Sequence, residues 1–212
     1  MAGLNPATTG IPLSLLRRGD RGEVFRIPTT PIMKNKRTKG LVIIYTGDGK
    51  GKTTAALGMA LRAAGHGKKT LVVQFIKNFQ NYGELKFVKK FDCGIEIKTM
   101  GKGYVQIKGD RFPIEEHKKA ARQALDFARE QILSKKYDIV VLDEINIALD
   151  KRLLTIQEVT ELIQQKPPDL HLVLTGRNAP KKLLQLADLV SEVKEIKHPF
   201  GKGVLAQRGV EY

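Results

Sequence analysis

Hydrophobic residues from position 40 onward occur in short continuous runs separated by longer segments of helical spacing. A continuous apolar run indicates a strand that is covered on both faces, which is typical of a parallel sheet. The clearest runs are Leu41 to Tyr45, Thr70 to Ile76, Ile139 to Leu142 and Leu170 to Leu174. Their alternation with helical segments predicts a three-layer α/β domain around a mostly parallel sheet.

Three of the intervening segments have clear helical patterns. Thr53 to Ala64 is rich in Ala, Leu and Met and ends before a glycine, which commonly stops a helix. Pro113 to Leu133 places alanine and aliphatic residues at helical spacing after a proline suited to a first turn. Thr155 and Glu158 form a capping-box pattern, which predicts the start of a third helix.

Residues 1 to about 38 have a different character, with scattered prolines and basic residues and little hydrophobic periodicity. We therefore expect a basic N-terminal arm at 1–38, followed by a single domain at 39–212. No run approaches the roughly 18 to 20 apolar residues of a membrane span, and the N-terminus lacks the pattern of a secretory signal. A single cysteine, Cys93, agrees with a reducing compartment. We expect a cytoplasmic protein without membrane contact.

The formal net charge of +15 predicts attraction for polyanions but does not choose among nucleic acid, a membrane surface and nucleotide phosphates. Many lysines lie beside glutamates, as they do on solvated faces. No basic stripe interleaved with aromatic residues is visible, and tryptophan is absent. These features argue against nucleic acid as a partner.

The strongest chemical pattern is a glycine-rich loop between the first strand and the first helix. Glycines let backbone N–H groups converge on an anion, the following helix directs its positive end at the same point, and the lysine and threonine supply a charge and a hydroxyl for Mg²⁺. A strict phosphate-loop pattern has glycine at position 46, where this chain has Thr46, so the loop is a variant of that pattern. The nucleotide-binding residues predicted here are Thr46, Gly47, Asp48, Gly49, Lys50, Gly51, Lys52, Thr53 and Thr54.

Two further strands end in polar residues. Asp143 and Glu144 follow the run Ile139 to Leu142, and Arg177 follows Leu170 to Leu174. The carboxyl ends of parallel strands meet at one edge of a sheet, so both acids should lie beside the phosphate loop and bind Mg²⁺ directly or through water. Arg177 is either a clamp for a phosphate or an ordinary surface arginine after a turn.

Beyond these local patterns, several blocks occur in order between Gly40 and Tyr212: GLVIIYTGDGKGKTTAALGMALRAAGHGKK, VVQFIKN, VVLDEIN, LTGRNAP, ADLVSEV and KHPFGKGVLAQRGVEY. Together they resemble the ATP:corrinoid adenosyltransferases of cobalamin synthesis and salvage. The resemblance implies a RecA-like phosphate-loop domain, often dimeric. It also implies transfer of the 5′-deoxyadenosyl group of ATP to the cobalt(I) of a reduced corrinoid, with release of triphosphate.

The same resemblance implies roles for individual residues. Lys52 and Glu144 would be catalytic, Thr53 and Glu144 would hold Mg²⁺ (or Mn²⁺), and Asp143 would support that metal ion. Arg62, on the helix after the loop, matches a family arginine near the nucleoside. The family also implies a homodimer, and a reductase that supplies cobalt(I).

The corrinoid side departs from the family pattern. Relatives commonly carry a Gly-Phe-x-Trp stretch, whereas this chain has Lys102 and Tyr104 at the two aromatic positions. We expect both residues to contact the corrinoid, with Tyr104 packing against the ring. In the family an N-terminal segment folds over the corrinoid, so the arm at 1–38 is a candidate lid.

Two other functions remain open from the residues themselves. A phosphate-loop ATPase or small-molecule kinase would use Glu144 to orient water or an acceptor hydroxyl and would release ADP. A RecA-like nucleic-acid-binding ATPase is favoured only by the net charge.

Overall fold

A computed structural model describes residues 39–78, 81–107 and 109–212, together with the backbone of Phe25–Arg26. Nearly all of the predicted arm at 1–38 thus lies outside the described residues, and its role as a lid stays a prediction. Among the described residues, no helix is both long enough and apolar enough to cross a membrane.

The described strands are β1 (Phe25–Arg26), β2 (Val42–Thr46), β3 (Thr70–Gln74), β4 (Phe91–Asp92), β5 (Ile95–Thr99), β6 (Ile139–Asp143), β7 (His171–Thr175) and β8 (Leu189–Glu192). Six of them form one sheet in the order β5-β3-β6-β7-β2-β8, and every pairing within it is parallel. The two-residue strands β1 and β4 pair with each other, also in parallel. The predicted mostly parallel sheet is therefore confirmed.

The described helices are α1 (Lys52–Ala64), α2 (Gly83–Lys90), α3 (Ile114–Leu133), α4 (Ile145–Asp150), α5 (Ile156–Gln165) and α6 (Lys181–Leu186), with a short 3₁₀ helix at Pro199–Lys202. Helix α1 packs on one face of the sheet, whereas α3, α4, α5 and α6 contribute to the core on the other face. The arrangement is the predicted three-layer α/β architecture.

Adjacent residues in a strand point to opposite faces, and β2 shows why its sequence is apolar throughout. Val42 and Ile44 belong to the larger core cluster, whereas Ile43 belongs to the cluster beneath α1. All three side chains are buried. A strand covered on both faces has no position for an exposed polar residue, which explains the continuous run.

Helix ends agree closely with the sequence patterns. The capping box opening α5 is present: the Glu158 N–H donates to Thr155 Oγ1 at 3.2 Å, and the Thr155 N–H donates to Glu158 Oε2 at 2.7 Å. Helix α1 begins one residue earlier than predicted, at Lys52, and Pro113 caps α3 instead of occupying its first turn.

Because the six strands of the sheet are parallel, their carboxyl ends share one edge of the sheet. There Gln74 at the end of β3 lies in register with Asp143 of β6, and Tyr45 of β2 lies in register with Thr175 of β7. The glycine-rich loop follows β2 at this edge. The fold thus gathers residues from four central strands around the loop.

Candidate nucleotide-binding site

The loop between β2 and α1 has glycines where its backbone requires them. Gly47 and Gly51 have φ values of 95° and 115°, a region that favours glycine. A Cβ on Gly47 would also lie 2.4 Å from the carbonyl oxygen of Val193. Helix α1 begins directly after Gly51, so its free N–H groups and positive end face the loop. This geometry suits a phosphate.

Lys52 lies folded against this loop. Its Nζ donates to the carbonyl oxygens of Gly47 and Gly49 at 2.7 and 2.6 Å, and the residue is only 7% exposed. Burial lowers the pKa of Lys52, while the negative charge of Glu144 opposes that shift. The two contacts with loop carbonyl oxygens place the Lys52 Nζ at the centre of the loop.

Asp143, at the end of β6, organises the neighbouring side chains. Its Oδ1 accepts hydrogen bonds from Thr53 Oγ1 and Thr175 Oγ1, both at 2.8 Å. Its Oδ2 accepts from Gln74 Nε2 at 3.3 Å and lies 3.3 Å from Lys77 Nζ. Both carboxylate oxygens are occupied, which fits the predicted supporting role better than direct contact with a metal ion.

Glu144 is the carboxylate that faces the open space. Its φ of 64° is unusual for a residue other than glycine, and such strain is often found at functional sites. The Glu144 N–H donates to Thr175 Oγ1 at 2.9 Å, which helps to hold this conformation. Burial raises the pKa of Glu144, and the charge of Asp143 raises it further. A bound cation would therefore stabilise its ionised form.

A cleft of about 530 Å³ opens above the loop. Most of the predicted nucleotide and metal residues line it: Gly49, Lys50, Gly51, Lys52, Thr53, Thr54, Glu144 and Arg177. Arg177 follows Gly176, whose φ of 126° turns the chain at the end of β7. The fold thus brings Arg177 to the loop, although its contact with a phosphate stays a prediction.

Other predicted residues do not line the cleft. Thr46, Gly47 and Asp48 form the preceding part of the loop. Arg62 is exposed in the last turn of α1, about 15 Å along the helix axis from Lys52 at 1.5 Å per residue. The structure does not bring Arg62 to the phosphate loop, and its contact with the nucleoside stays a prediction.

A second cavity of about 580 Å³ adjoins the first. Tyr104 lines it and is 52% exposed, and its contact with a corrinoid stays a prediction. Lys102 does not line it: its Nζ lies 3.4 Å from Glu116 Oε2 and 4.9 Å from the centroid of the Phe112 ring. Lys102 is thus directed toward α3, and its contact with a corrinoid stays a prediction.

Among the residues that line the nucleotide cleft, sequence reasoning gave no role to several, including Lys77, Glu211 and Tyr212. Glu211 Oε1 lies 3.1 Å from Lys50 Nζ, which ties the C-terminal segment to the loop. The sequence did mark these segments, because the blocks VVQFIKN and GVEY, which contain the three residues, contributed to the family resemblance. What those blocks lacked was any indication of which side chain contacts the site.

The cleft offers suitable ligands for magnesium. The Thr53 hydroxyl and the Glu144 carboxylate are hard oxygen donors, which Mg²⁺ prefers. Within the described ranges, no group of three or more His, Cys, Asp and Glu side chains could hold a metal ion. A magnesium ion here would therefore depend on phosphate oxygens and water for its remaining ligands.

A glycine loop between strand and helix, a lysine within it and a threonine tied to a strand-end carboxylate define a phosphate-loop nucleotide-binding protein. A solved structure supports the fold. The flagellar accessory protein FlaH from Methanocaldococcus jannaschii superposes with a TM-score of 0.50 at 11% identity, covering 73% of this chain and 71% of that chain. The predicted RecA-like class is confirmed at the level of fold.

Sequence comparison narrows the class to a family. Residues 38–212 match the family model described as ATP:corrinoid adenosyltransferase BtuR/CobO/CobP. A corrinoid adenosyltransferase of Sinorhizobium sp is 42% identical over 176 residues, 82% of this chain and 81% of that protein. The corrinoid adenosyltransferase of Escherichia coli K12 is 38% identical, covering 82% and 86%, and corrinoid adenosyltransferase CobA of Salmonella typhimurium is 35% identical, covering 85% and 90%. The chain belongs to the ATP:corrinoid adenosyltransferase family, and the resemblance stated from its motifs is confirmed.

Proposed function

We propose that this chain transfers the 5′-deoxyadenosyl group of ATP to the cobalt(I) of a reduced corrinoid and releases triphosphate. Beyond family membership, one observation carries the proposal. The phosphate cleft and the second cavity share a wall formed by Lys77, Glu144 and Arg177. A reaction between two large substrates needs two adjoining spaces that meet where the bond is exchanged.

The reaction explains the scarcity of catalytic side chains. Cobalt(I) donates an electron pair to C5′ of ATP, the C5′–O bond breaks, and triphosphate leaves with the bonding pair. The corrinoid is itself the nucleophile, so the protein needs none. Its tasks are to align the two substrates and to stabilise the charge on the leaving triphosphate.

Residues of the phosphate loop suit the second task. Lys52 and the N–H groups at the start of α1 would hold the triphosphate, and Lys52 would exchange its two carbonyl contacts for phosphate oxygens. Thr53 and Glu144 would hold Mg²⁺, which would supply further positive charge to the departing phosphates. Arg177 would contact phosphate from the shared wall.

The second cavity suits the corrinoid. Tyr104 presents an aromatic ring there, and Val105 and Ile107 add apolar surface. Aromatic and aliphatic side chains of this kind pack well against a macrocycle. The arm at 1–38 is proposed to cover the corrinoid from the outside, as the family resemblance implies.

The same resemblance implies a homodimer and a separate reductase that supplies cobalt(I), and the cytoplasmic location is proposed from the sequence patterns alone. One structural observation supports the homodimer. Edge strand β8 exposes Leu189 and Val190, at 42% and 44%. Exposed apolar side chains beside a sheet edge are suited to contact with a second copy.

Anaerobic incubation with ATP, Mg²⁺ and chemically reduced cobalamin tests the proposed reaction. We expect the cobalt(I) spectrum to convert to that of the adenosyl form, with one triphosphate released per corrinoid converted. Reactions without corrinoid and without Mg²⁺ serve as controls. Release of ADP in place of triphosphate would show that the chain is a phosphate-loop ATPase or kinase, and would contradict the proposal.

A further inference from the structure

Lys77, in the loop after β3, joins the nucleotide site to helix α2. Its Nζ lies 3.3 Å from Asp143 Oδ2 and 3.5 Å from Glu84 Oε1. It also lies 5.0 Å from the centroid of the Tyr82 ring. Asp143 ends β6, whereas Tyr82 is the N-cap of α2 and Glu84 lies in its first turn. One ammonium group therefore connects two parts of the molecule that line the cavities.

Asp143 requires such a cation because its side chain is 0% exposed. Thr53, Thr175 and Gln74 are neutral donors to it, and a buried carboxylate without an ionic partner is strongly destabilised. Lys52 does not fill this role, since its Nζ bonds to loop carbonyl oxygens. Burial favours a lower pKa for Lys77, but the charges of Asp143 and Glu84 outweigh it and the pKa is raised. Lys77 thus remains charged beside Asp143.

The two oxygens of Asp143 have different tasks. Lys77 and Gln74 hold Oδ2, and this fixes the rotation of the carboxylate. Oδ1 is then directed at Thr53, whose hydroxyl donates its proton there at 2.8 Å. A hydroxyl whose proton is engaged has its lone pairs free for other contacts. Thr53 lines the cleft, so these lone pairs can serve a cation or a polar ligand there.

We propose that Lys77 is a positioning residue for the nucleotide site: through Oδ2 of Asp143 it fixes the orientation of Thr53, and through Glu84 it links that orientation to helix α2. The proposal rests on the proposed binding of magnesium–ATP at the phosphate loop. Lys77 would act through Asp143, and the charge of its side chain would be the property that matters.

Three variants test the need for that charge. Lys77→Met removes the charge, Lys77→Arg retains it, and Lys86→Met removes a lysine charge from an exposed position on α2 as a matched control. We would measure magnesium–ATP dissociation constants by calorimetry without corrinoid, and the Mg²⁺ concentration that gives half-maximal ATP binding. Lys77→Met should weaken binding by about ten- to a hundredfold and raise the Mg²⁺ requirement, as expected for a lost charge-assisted contact. Lys77→Arg should recover most of the affinity, and Lys86→Met should match the unaltered protein.

Asp143→Asn completes a double-mutant cycle. If Lys77 acts through Asp143, Lys77→Met should weaken magnesium–ATP binding little further in the Asp143→Asn background. The double variant buries no unpaired charge, so it also serves if Lys77→Met alone fails to fold. A further loss of about tenfold in that background would overturn the proposal. So would an unchanged dissociation constant in folded Lys77→Met, or equal losses in Lys77→Arg and Lys77→Met.

These measurements distinguish the role of Lys77 from the proposed reaction. Nucleotide binding is measured without corrinoid, so a chain that binds magnesium–ATP but forms no adenosyl corrinoid would contradict only the proposed function. Normal adenosyl transfer together with normal nucleotide binding in Lys77→Met would contradict only the role of Lys77.

Discussion

Replacing Lys52 by alanine should remove most of the nucleotide affinity. The buried ammonium makes two hydrogen bonds, at 2.6 and 2.7 Å, to carbonyl oxygens of its own loop, and a bound triphosphate would replace these with contacts between opposite charges. Hydrogen bonds to charged groups contribute about 1.5 to 3 kcal/mol. At 1.4 kcal/mol per factor of ten, that loss corresponds to about ten- to 150-fold in the ATP dissociation constant. Turnover should be abolished, because the leaving triphosphate would lose a nearby positive charge.

Two measurements separate this effect from damage to the fold. Calorimetry would give the magnesium–ATP dissociation constant, and thermal unfolding would give the midpoint with and without ATP. Lys69→Ala is the matched control, because Lys69 is exposed next to the start of β3, at the opposite end of that strand from the site. The variant and the control should both unfold cooperatively, but at the same ATP concentration Lys52→Ala should gain less stability than the control. ATP affinity within about twofold of the unaltered protein in Lys52→Ala would refute the assignment of this loop.

Four further predictions concern other parts of the chain. Glu144→Gln should raise the Mg²⁺ concentration needed for half-maximal activity, since an amide is a weaker ligand for a hard cation; an unchanged titration would remove Glu144 from the metal site. Deletion of residues 1 to 35 should leave ATP affinity within a few-fold but weaken corrinoid affinity and slow adenosyl transfer, and full activity would exclude a lid. Glu211→Gln, which breaks the ion pair with the partly exposed Lys50, should weaken ATP binding by less than about fivefold and speed proteolysis of the C-terminal segment, whereas an unchanged digestion rate would contradict that tie. Hydrogen bonds from backbone N–H groups and a histidine lower the pKa of Asp110 to about 2. The stability that its carboxylate contributes is therefore present above about pH 4 and lost as the pH falls toward 2. The difference in unfolding midpoint between Asp110→Asn and the unaltered protein should shrink over that range, and a constant difference would contradict this prediction.

The sequence by itself determined the parts of this protein that depend on neighbouring residues. Continuous apolar runs predicted buried parallel strands, because a strand covered on both faces has no polar position. The capping box at Thr155 and Glu158 predicted the start of α5, because its two hydrogen bonds span only three residues. The phosphate loop was recognisable for the same reason: its glycines, lysine and threonine act within one short segment.

Only the tertiary structure decided which distant side chains meet. Gln74 at the end of β3 and Lys77 in the following loop both contact Asp143 at the end of β6, 69 positions after Gln74 in the sequence. Lys50 pairs with Glu211, 161 positions further along the chain. Spacing along the chain carries no signal for such contacts, since they depend on the order of strands in the sheet. The direction of Lys102 toward α3 also depends on the tertiary structure, because the fold places Glu116 within reach of its long side chain. The phosphate loop could thus be identified from neighbouring residues in the sequence, whereas the residues that support it depend on which strands lie side by side in the sheet.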